Sequence, residues 1–296
     1  MEKLLECKNL YKSFGKKQIL KDVSFEINKG DILAFIGPNG SGKTTTIKMI
    51  LGLQKIDSGS VIINGYDVEK DFIKAIEKVG CIVENPDSYM YLSGYQNLLL
   101  KANCYDNIDK NKINEVVEIV GLKNRINDKV SKYSLGMRQR LGIALALLND
   151  PNILILDEPT NGLDPEGIKD LRNLLKKLAK EGIGVLISSH NLAELDSFCN
   201  KVCIINNGMI IDTGDAKSFK QTDSKYLFIV DNTKDIKLDN IMNKTNTSFE
   251  IATDKENVAK IIKELTKKDI KIYEVKKQVL TLEEAFLKKT GGNDIV

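Results

Sequence analysis

Histidine is almost absent from this sequence: the only one, His190, stands alone among 296 residues. Because the sequence offers one histidine and no C-x-x-C pair, a structural metal site of the zinc-finger kind is not expected. Long apolar runs are missing too, since none approaches the ~18 residues that a membrane-spanning helix needs. Residues 1–8 are short, mixed in character and charged, and do not resemble a signal peptide. The sequence therefore predicts that any contact with a membrane is made through a partner protein.

Cysteines are few and show no pairing pattern. The five cysteines, at positions 7, 81, 104, 199 and 203, are odd in number and include no C-x-x-C pair. Several lie in apolar stretches, so buried and reduced thiols are the expected state. This predicts a protein of the cytosol.

Neither sign of charge is in large excess, since 44 Lys and Arg stand against 41 Asp and Glu, a net charge of +3. The chain lacks the basic stripe that nucleic-acid-binding proteins carry, so we expect no nucleic acid as a partner. A chain of 296 residues can bury one large α/β core and still carry a smaller unit.

The most informative segment is residues 37–44, GPNGSGKT, which match the phosphate-loop template G-x-x-x-x-G-K-[ST] without a gap. An apolar run at residues 32–36 precedes it, and a helix-compatible stretch at residues 45–51 follows it. In this order, backbone N–H groups can point at phosphate oxygens and the helix N-terminus favours their charge. We expect Lys43 to contact the β- and γ-phosphates and the Thr44 hydroxyl to hold Mg²⁺. The residues predicted here to bind ATP are Gly37, Pro38, Asn39, Gly40, Ser41, Gly42, Lys43, Thr44 and Thr45.

Two acids and the histidine follow predicted strands further along the chain. The apolar residues 153–156 lead into Asp157 and Glu158, and residues 184–189 lead into His190. The carboxyl ends of strands are where α/β sheets bind ligands. We expect Asp157 to hold Mg²⁺ through water and Glu158 to act as general base on the attacking water. A neutral His190 could hydrogen-bond the γ-phosphate or that water.

The segment that begins at Ser134 has two interpretations. Ser134 and Gly136 precede the apolar helix at residues 141–148. A serine hydroxyl and a glycine N–H at a helix start form an anion site, but the same residues also suit a simple N-cap.

The apolar pattern predicts an α/β fold. Residues 1–30 and 61–63 alternate apolar and polar positions, which indicates antiparallel strands. The later strands alternate with helices, which implies a largely parallel sheet with right-handed crossovers. These strands are predicted at residues 79–83, 153–156 and 184–188, with a hairpin at residues 202–212. Helices are predicted at residues 95–105, 110–120, 137–148 and 171–180, the first three forming an insert between two strands of the main sheet.

Near residue 215 the pattern changes to polar, lysine-rich sequence. A small α+β appendix follows. Its predicted strands are residues 226–230, 248–252 and 270–275, and its predicted helices are residues 255–265 and 282–288.

Taken together, these residues resemble the nucleotide-binding subunit of ATP-binding-cassette (ABC) transporters, over residues 3–216. The resemblance implies a phosphate-loop NTPase cassette at residues 1–216, with an antiparallel β subdomain and a helical insert at about 85–148, and a C-terminal α+β domain at residues 217–296. It implies that the loop at residues 161–164 couples two nucleotide sites and that His190 is the switch histidine. It also implies that the Phe14 ring lies against adenine, although Phe14 by itself suits a core position equally well.

Two positions depart from the common family pattern. The signature, usually Leu-Ser-Gly-Gly-Gln, reads Tyr-Ser-Leu-Gly-Met at residues 133–137, and Glu84 stands where glutamine is usual. Both changes resemble the subgroup that confers bacitracin resistance and lantibiotic immunity. Glu84 joins Thr44 and Asp157 as a predicted metal contact.

The resemblance implies an ATPase that uses ATP and Mg²⁺ and exports a peptide antibiotic or a similar amphiphile. Two copies, or one copy and a homologue, are expected to bind head to tail, with each ATP between residues 37–44 of one chain and Ser134 and Gly136 of the other. Separate transmembrane permease subunits are expected to dock on residues 85–131 with the Glu84 loop. They would hold the protein peripherally on the inner face of the cell membrane.

Two other functions compete with this interpretation. A soluble ATP switch with a regulatory or assembly role would use the same cassette without transport. Cassette proteins that act on ribosomes typically carry two cassettes per chain, and those that act on DNA insert long coiled coils; this chain has neither. A phosphate-loop kinase would need neither the signature helix nor His190. Co-purification with a polytopic membrane protein would separate a transporter from a switch.

Overall fold

The computed structural model of the chain describes residues 2–84, 86, 88–190, 195, 198–220, 225–234, 236, 238 and 240–278. The described residues form two compact units, residues 2–216 and residues 217–278, and each has its own apolar core. The helix predicted at residues 282–288 lies outside the described residues. None of the described helices has the length and apolar character that crossing a bilayer requires.

An antiparallel sheet forms from the predicted strands of the first part of the chain. Its members are β1 (Lys3–Phe14), β2 (Lys17–Asn28), β4 (Ser58–Ile63) and β5 (Tyr66–Asp67), in the order β2-β1-β4-β5. Alternate residues of β2, namely Val23, Phe25 and Ile27, are buried, as the period-2 pattern predicts. The short strand β5 is not predicted from the sequence, because two residues carry no periodicity.

The main sheet is largely parallel, which confirms the predicted α/β class. Its strands are β3 (Ile32–Ile36), β6 (Val79–Ile82), β7 (Ile153–Leu156), β8 (Gly184–Ser189), β9 (Lys201–Asn206) and β10 (Met209–Asp215). Their order is β10-β9-β3-β8-β7-β6. All pairings are parallel except the β9–β10 hairpin. Strands β3, β7 and β8 are buried along their whole length, as fully apolar runs predict.

Helices lie between these strands where the sequence predicts them, with one addition. They are α1 (Lys43–Ile50), α2 (Phe72–Ile76), α3 (Gly94–Ala102), α4 (Lys110–Ile119), α5 (Leu135–Leu147) and α6 (Pro165–Lys180). Helices α3, α4 and α5 form the predicted insert between β6 and β7. Helix α2 is not predicted. Helix α6 starts earlier than predicted, because Asp164 caps the Gly167 N–H and Pro165 is the first helical residue.

The second unit is an antiparallel sheet with a helix, which agrees with the predicted α+β appendix. Its elements are α7 (Ala216–Lys220, which begins at the last residue of the first unit), β11 (Lys225–Val230), β12 (Ile241–Met242), β13 (Ser248–Ala252), α8 (Lys255–Lys267) and β14 (Ile272–Gln278). The strand order is β12-β13-β11-β14. Phe228 and Phe249 stack at 4.9 Å in its core.

Candidate functional site

The order of the main sheet brings three distant segments to one edge. Strands β3, β8 and β7 are parallel neighbours, so their carboxyl ends meet at the same side of the sheet. The loop at residues 37–42 follows β3, Asp157 and Glu158 follow β7, and His190 follows β8. The candidate site is therefore assembled where α/β sheets place their ligands.

Two glycines of the loop after β3 lie where a side chain would have little room. Gly42 has φ +112°, and a Cβ there would lie 2.5 Å from Leu20 Cδ2. A Cβ on Gly37 would lie 2.3 Å from the carbonyl oxygen of Ile205. The absence of a side chain at these two positions lets the backbone turn into α1, which starts at Lys43.

The Ser41 side chain points to a ligand at this loop. Its hydroxyl is buried and has no hydrogen-bond partner within the described part of the chain. An unpaired buried hydroxyl costs about 1–3 kcal/mol. The loop's residues therefore fit a polar group such as a phosphate oxygen.

Lys43 is buried and folded back over the loop that precedes it. Its Nζ donates to the carbonyl oxygens of Gly37 at 2.7 Å and Pro38 at 3.3 Å. The same ammonium lies 3.3 Å from Glu158 Oε1, and the side chain is only 6% exposed. An anion that enters the cleft would compete with these two carbonyl oxygens and this carboxylate for the Lys43 ammonium.

Asp157 and Glu158 occupy different environments although they are adjacent. Asp157 is buried, and its Oδ1 accepts a 2.6 Å hydrogen bond from the Ser188 hydroxyl. The backbone N–H of Glu158 donates to the same Ser188 oxygen at 2.8 Å. Ser188 thus ties the end of β7 to β8 and orients both acids.

Glu158 is held in a costly backbone conformation that aims its carboxylate into the site. Its φ is +49°, a region that costs a residue with a side chain about 1–3 kcal/mol. Oε1 faces Lys43, and Oε2 lies 2.8 Å from His190 Nδ1. The carboxylate therefore bridges a lysine and a histidine, and these two contacts fix its position in the site.

These groups surround a cleft of about 410 Å³. The predicted residues that line it are Phe14, Asn39, Gly40, Gly42, Lys43, Thr44, Thr45, Glu158 and His190. Lys17, Ile19 and Asn161 also line it. The structure therefore brings the aromatic ring, the loop, the acid and the histidine to a single cleft.

Sequence reasoning assigned no role to Ser188, Lys17 or Ile19. Ser188 carried a usable signal, because it follows the apolar residues of β8 and lies two positions before His190, a spacing that puts both side chains on one face of an extended chain. Lys17 and Ile19 carried none, since their place at the cleft depends on how β2 packs.

Ser134 and Gly136 do not line this cleft. The Ser134 hydroxyl accepts from the Met137 N–H at 3.3 Å and caps α5. Gly136 lines a separate depression of about 280 Å³, together with Arg140 and Asp170. Arg140 and Asp170 form an ion pair that joins α5 to α6.

The three residues predicted as metal contacts do not lie together in the structure. Thr44 lines the cleft, and Asp157 is buried on Ser188. Glu84 is exposed, and its Oε1 lies 2.9 Å from Lys48 Nζ on α1. Within the residues that the structure describes, no three His, Cys, Asp or Glu side chains form a cluster that could hold a metal.

Comparison with known proteins agrees with this fold and site. The ABC transporter family matches residues 20–161. The uncharacterized ABC transporter ATP-binding protein YhcH of Bacillus subtilis (strain 168) is 46% identical over 298 residues, with 98% of this chain and 97% of YhcH covered. The bacitracin transport ATP-binding protein BcrA of Bacillus licheniformis is 44% identical over 228 residues, with 77% of this chain and 74% of BcrA covered.

A solved structure shares the fold of the first unit. It is the dimeric structure of the ATP-binding cassette MJ0796 in a post-hydrolysis state, bound to ADP and Pi. The TM-score is 0.64 at 26% identity, and the match covers 72% of this chain and 99% of that chain.

A parallel sheet with a glycine-rich loop that opens α1 defines a phosphate-loop NTPase. More narrowly, the chain belongs to the ATP-binding proteins of ABC transporters, a family of ATPases. The predicted family, its resemblance to the bacitracin group, the cassette fold and the enzyme class are confirmed.

Proposed function

We propose that this chain is the ATP-hydrolysing motor of a transporter that expels a peptide antibiotic or a similar amphiphile. Residues 1–216 are the nucleotide-binding domain and residues 217–296 a separate C-terminal domain. The observation that carries the proposal is the Glu158 carboxylate, held between Lys43 and His190 in the cleft of about 410 Å³. The 44% identity to a bacitracin transport protein supports the class of cargo.

The chain's own groups divide the work of hydrolysis. The loop at residues 37–42 and the start of α1 bind the phosphates, and Lys43 exchanges its carbonyl partners for phosphate oxygens. Thr44 and Asp157 would hold Mg²⁺, which offsets charge on the phosphates when it is bound. Glu158 accepts the proton of the attacking water. His190 keeps the Glu158 carboxylate oriented, and Phe14 contacts the adenine ring.

Two copies complete each site. Ser134 and Gly136 lie at the start of α5, away from the cleft of their own chain. A helix start suits an anion, so these residues are available to the ATP of a second copy. The dimeric structure of the cassette MJ0796 supports an assembly of two copies.

The permease docks on the helical insert. A groove of about 600 Å³ lies between β6 and helices α3 and α5, lined by Val83, Tyr89 and Leu100 among others. Tyr89 is 56% and Tyr91 is 68% exposed, and their rings contact each other at 5.9 Å. Exposed aromatic groups beside a groove suit an apolar protein partner. Docking there would keep the ATPase on the inner face of the membrane.

The test is tolerance of cells that express the chain with its cognate permease subunits. A panel of peptide antibiotics of the bacitracin and lantibiotic kinds is compared with the same operon carrying Glu158→Gln. Raised tolerance that is lost in the variant supports the proposal. Unchanged tolerance together with transport of an unrelated solute would remove the cargo assignment and leave the ATPase.

A further inference from the structure

The proposed adenine contact depends on a side chain at an exposed hairpin end. Phe14 ends β1, and β2 begins at Lys17. The Phe14 side chain lines the nucleotide cleft but is 50% exposed. A ring this exposed has little apolar packing to set its orientation, so polar contacts around it decide where it lies.

Asp57 directly precedes β4. Both of its carboxylate oxygens accept hydrogen bonds from this hairpin end. Oδ1 accepts from Lys12 Nζ at 2.7 Å, and Oδ2 accepts from the backbone N–H of Ser13 at 2.7 Å. The Asp57 N–H donates in return to the Tyr11 carbonyl at 3.3 Å. These two hydrogen bonds, the one from Lys12 more than the one from Ser13, hold the pKa of the Asp57 carboxyl below its usual value. It is therefore ionised at neutral pH and can accept both bonds.

Lys12, whose ammonium is held by Asp57, also contacts the Phe14 ring. Its side chain is only 7% exposed, and its ammonium lies 5.3 Å from the centroid of the Phe14 ring. A cation at this distance over a ring face is attracted electrostatically by the ring. Because the ammonium occupies one face, the opposite face of the ring is the one available to a base.

We propose that Lys12 and Asp57 are positioning residues for recognition of the nucleotide base, acting through Phe14. Asp57 holds the backbone at Ser13 and the Lys12 ammonium, and Lys12 holds the ring. This inference rests on the proposed binding of ATP in the cleft. It predicts that losing either residue weakens the contact with the base and leaves the contact with the phosphates unchanged.

The chain has no tryptophan, so Phe14→Trp introduces a single fluorescent reporter at the hairpin end. ATP should change its emission, and inorganic tripolyphosphate, which has no base, should not. In that background Asp57→Asn and Lys12→Met should each raise the ATP concentration for half-maximal change by about 3- to 10-fold. Asp128→Asn, which breaks an exposed pair with Arg125, is the matched control and should leave the titration unchanged.

The second measurement is titration calorimetry of ATP and tripolyphosphate binding by variants that do not carry Phe14→Trp. Asp57→Asn and Phe14→Ala should weaken ATP binding but not tripolyphosphate binding. The double variant should bind ATP no more weakly than Phe14→Ala alone, because both changes remove the same contact. Lys12→Met retains the bond from Ser13 to Asp57 and provides a folded alternative if Asp57→Asn lowers the melting temperature.

The outcomes separate the inference from the proposal beneath it. Equal losses for ATP and tripolyphosphate, or additive losses in the double variant, would overturn the positioning role. Parental ATP affinity in Asp57→Asn and Lys12→Met, with weakened affinity in Phe14→Ala, would overturn it too but leave Phe14 on the base. Parental affinity in Phe14→Ala would instead remove the proposed adenine contact itself.

Discussion

Glu158 shows at the scale of one residue how the site combines strain and charge. A positive φ of +49° and contacts with Lys43 and His190 place its carboxylate where a water could be activated. Neighbouring Asp157 is buried on Ser188 instead. The two adjacent acids therefore have different surroundings, which agrees with the different roles proposed for them.

Glu158→Gln should bind ATP nearly as well as the parent but lose steady-state turnover by roughly 10²–10⁴. The amide retains the shape but cannot accept the proton, whereas Lys43 and Thr44 are untouched. Phosphate release and equilibrium ATP binding measure the two effects. Glu118→Gln, in an exposed pair with Lys123, is the control. Hydrolysis near the parental rate would show that Glu158 is not the base.

Lys43→Ala should act earlier, at binding. Losing charge-assisted contacts with the phosphates should weaken ATP affinity by about 10- to 100-fold, as titration calorimetry would measure. His190→Ala should still bind ATP but turn over poorly, because its contact is with the Glu158 carboxylate. Equal ATP affinity in Lys43→Ala and the parent would reject the loop as the phosphate site.

The thiols should differ in reactivity because burial changes their pKa. Burial raises the pKa of Cys203 to about 12 and the pKa of Cys7 well above its usual value. Both stay protonated at pH 8, and the thiolate is the reactive form. Exposed Cys104 should therefore be labelled by an aromatic disulfide reagent before Cys7 and Cys203. Labelling of Cys7 or Cys203 at the rate of Cys104 in the folded chain would contradict this burial.

At the scale of elements, the first turn of α5 lies outside the cleft, and contacts with α6 and with the loop at residues 161–164 hold the helix in place. Arg140 pairs with Asp170 on α6, and a Cβ on Gly136 would lie 3.9 Å from Leu163 in the loop at residues 161–164. That loop begins three residues after Glu158. The start of α5 is thus packed against the loop that follows Glu158 in the same chain.

Ser134→Arg in the Glu158→Gln background should spare ATP binding by the single subunit and block ATP-driven dimerisation. A bulky cation would enter the phosphate site of the partner copy. Light scattering with and without ATP is the measurement, and Ser131→Arg, at an exposed position just before α5, is the control. Normal dimerisation of the Ser134→Arg variant would leave Ser134 as a helix cap only.

At the scale of the whole molecule, Glu84 connects the nucleotide side to the surface proposed for the permease. It follows β6 with φ +65°, and its carboxylate pairs with Lys48 on α1, the helix that the phosphate loop opens. The helical insert begins directly after it. Movement of α1 on nucleotide binding could therefore reach the insert through this pair.

Glu84→Ala should reduce protection against a peptide antibiotic more than it reduces basal ATPase activity. Glu84→Gln should be milder, since it retains the length and an acceptor oxygen. The pair is exposed and contributes only ~0.2–1 kcal/mol, so folding should change little. Glu264→Ala, which removes an exposed Glu–Lys pair outside the helical insert, is the matched control. Equal losses of protection and ATPase activity in Glu84→Ala would argue against a coupling role.

The sequence by itself determined the parts of this protein that depend on neighbours in the chain. Residues 37–44 contain their own turn and helix start, because glycine conformations and the first turn of α1 are local. Apolar runs predicted β3, β7 and β8, and helical spacing predicted the insert, since periodicity is also local. Elements too short to show a period, such as β5 and α2, were missed for the same reason.

Only the tertiary structure decided which distant groups meet. The order β3-β8-β7 brings His190 to Glu158, 32 positions away, and sheet order is set by packing of whole elements. Packing of β1 against β4 likewise brings Asp57 to Lys12, 45 positions away. No local pattern encodes such pairs, because contacts between elements depend on how their buried faces fit together.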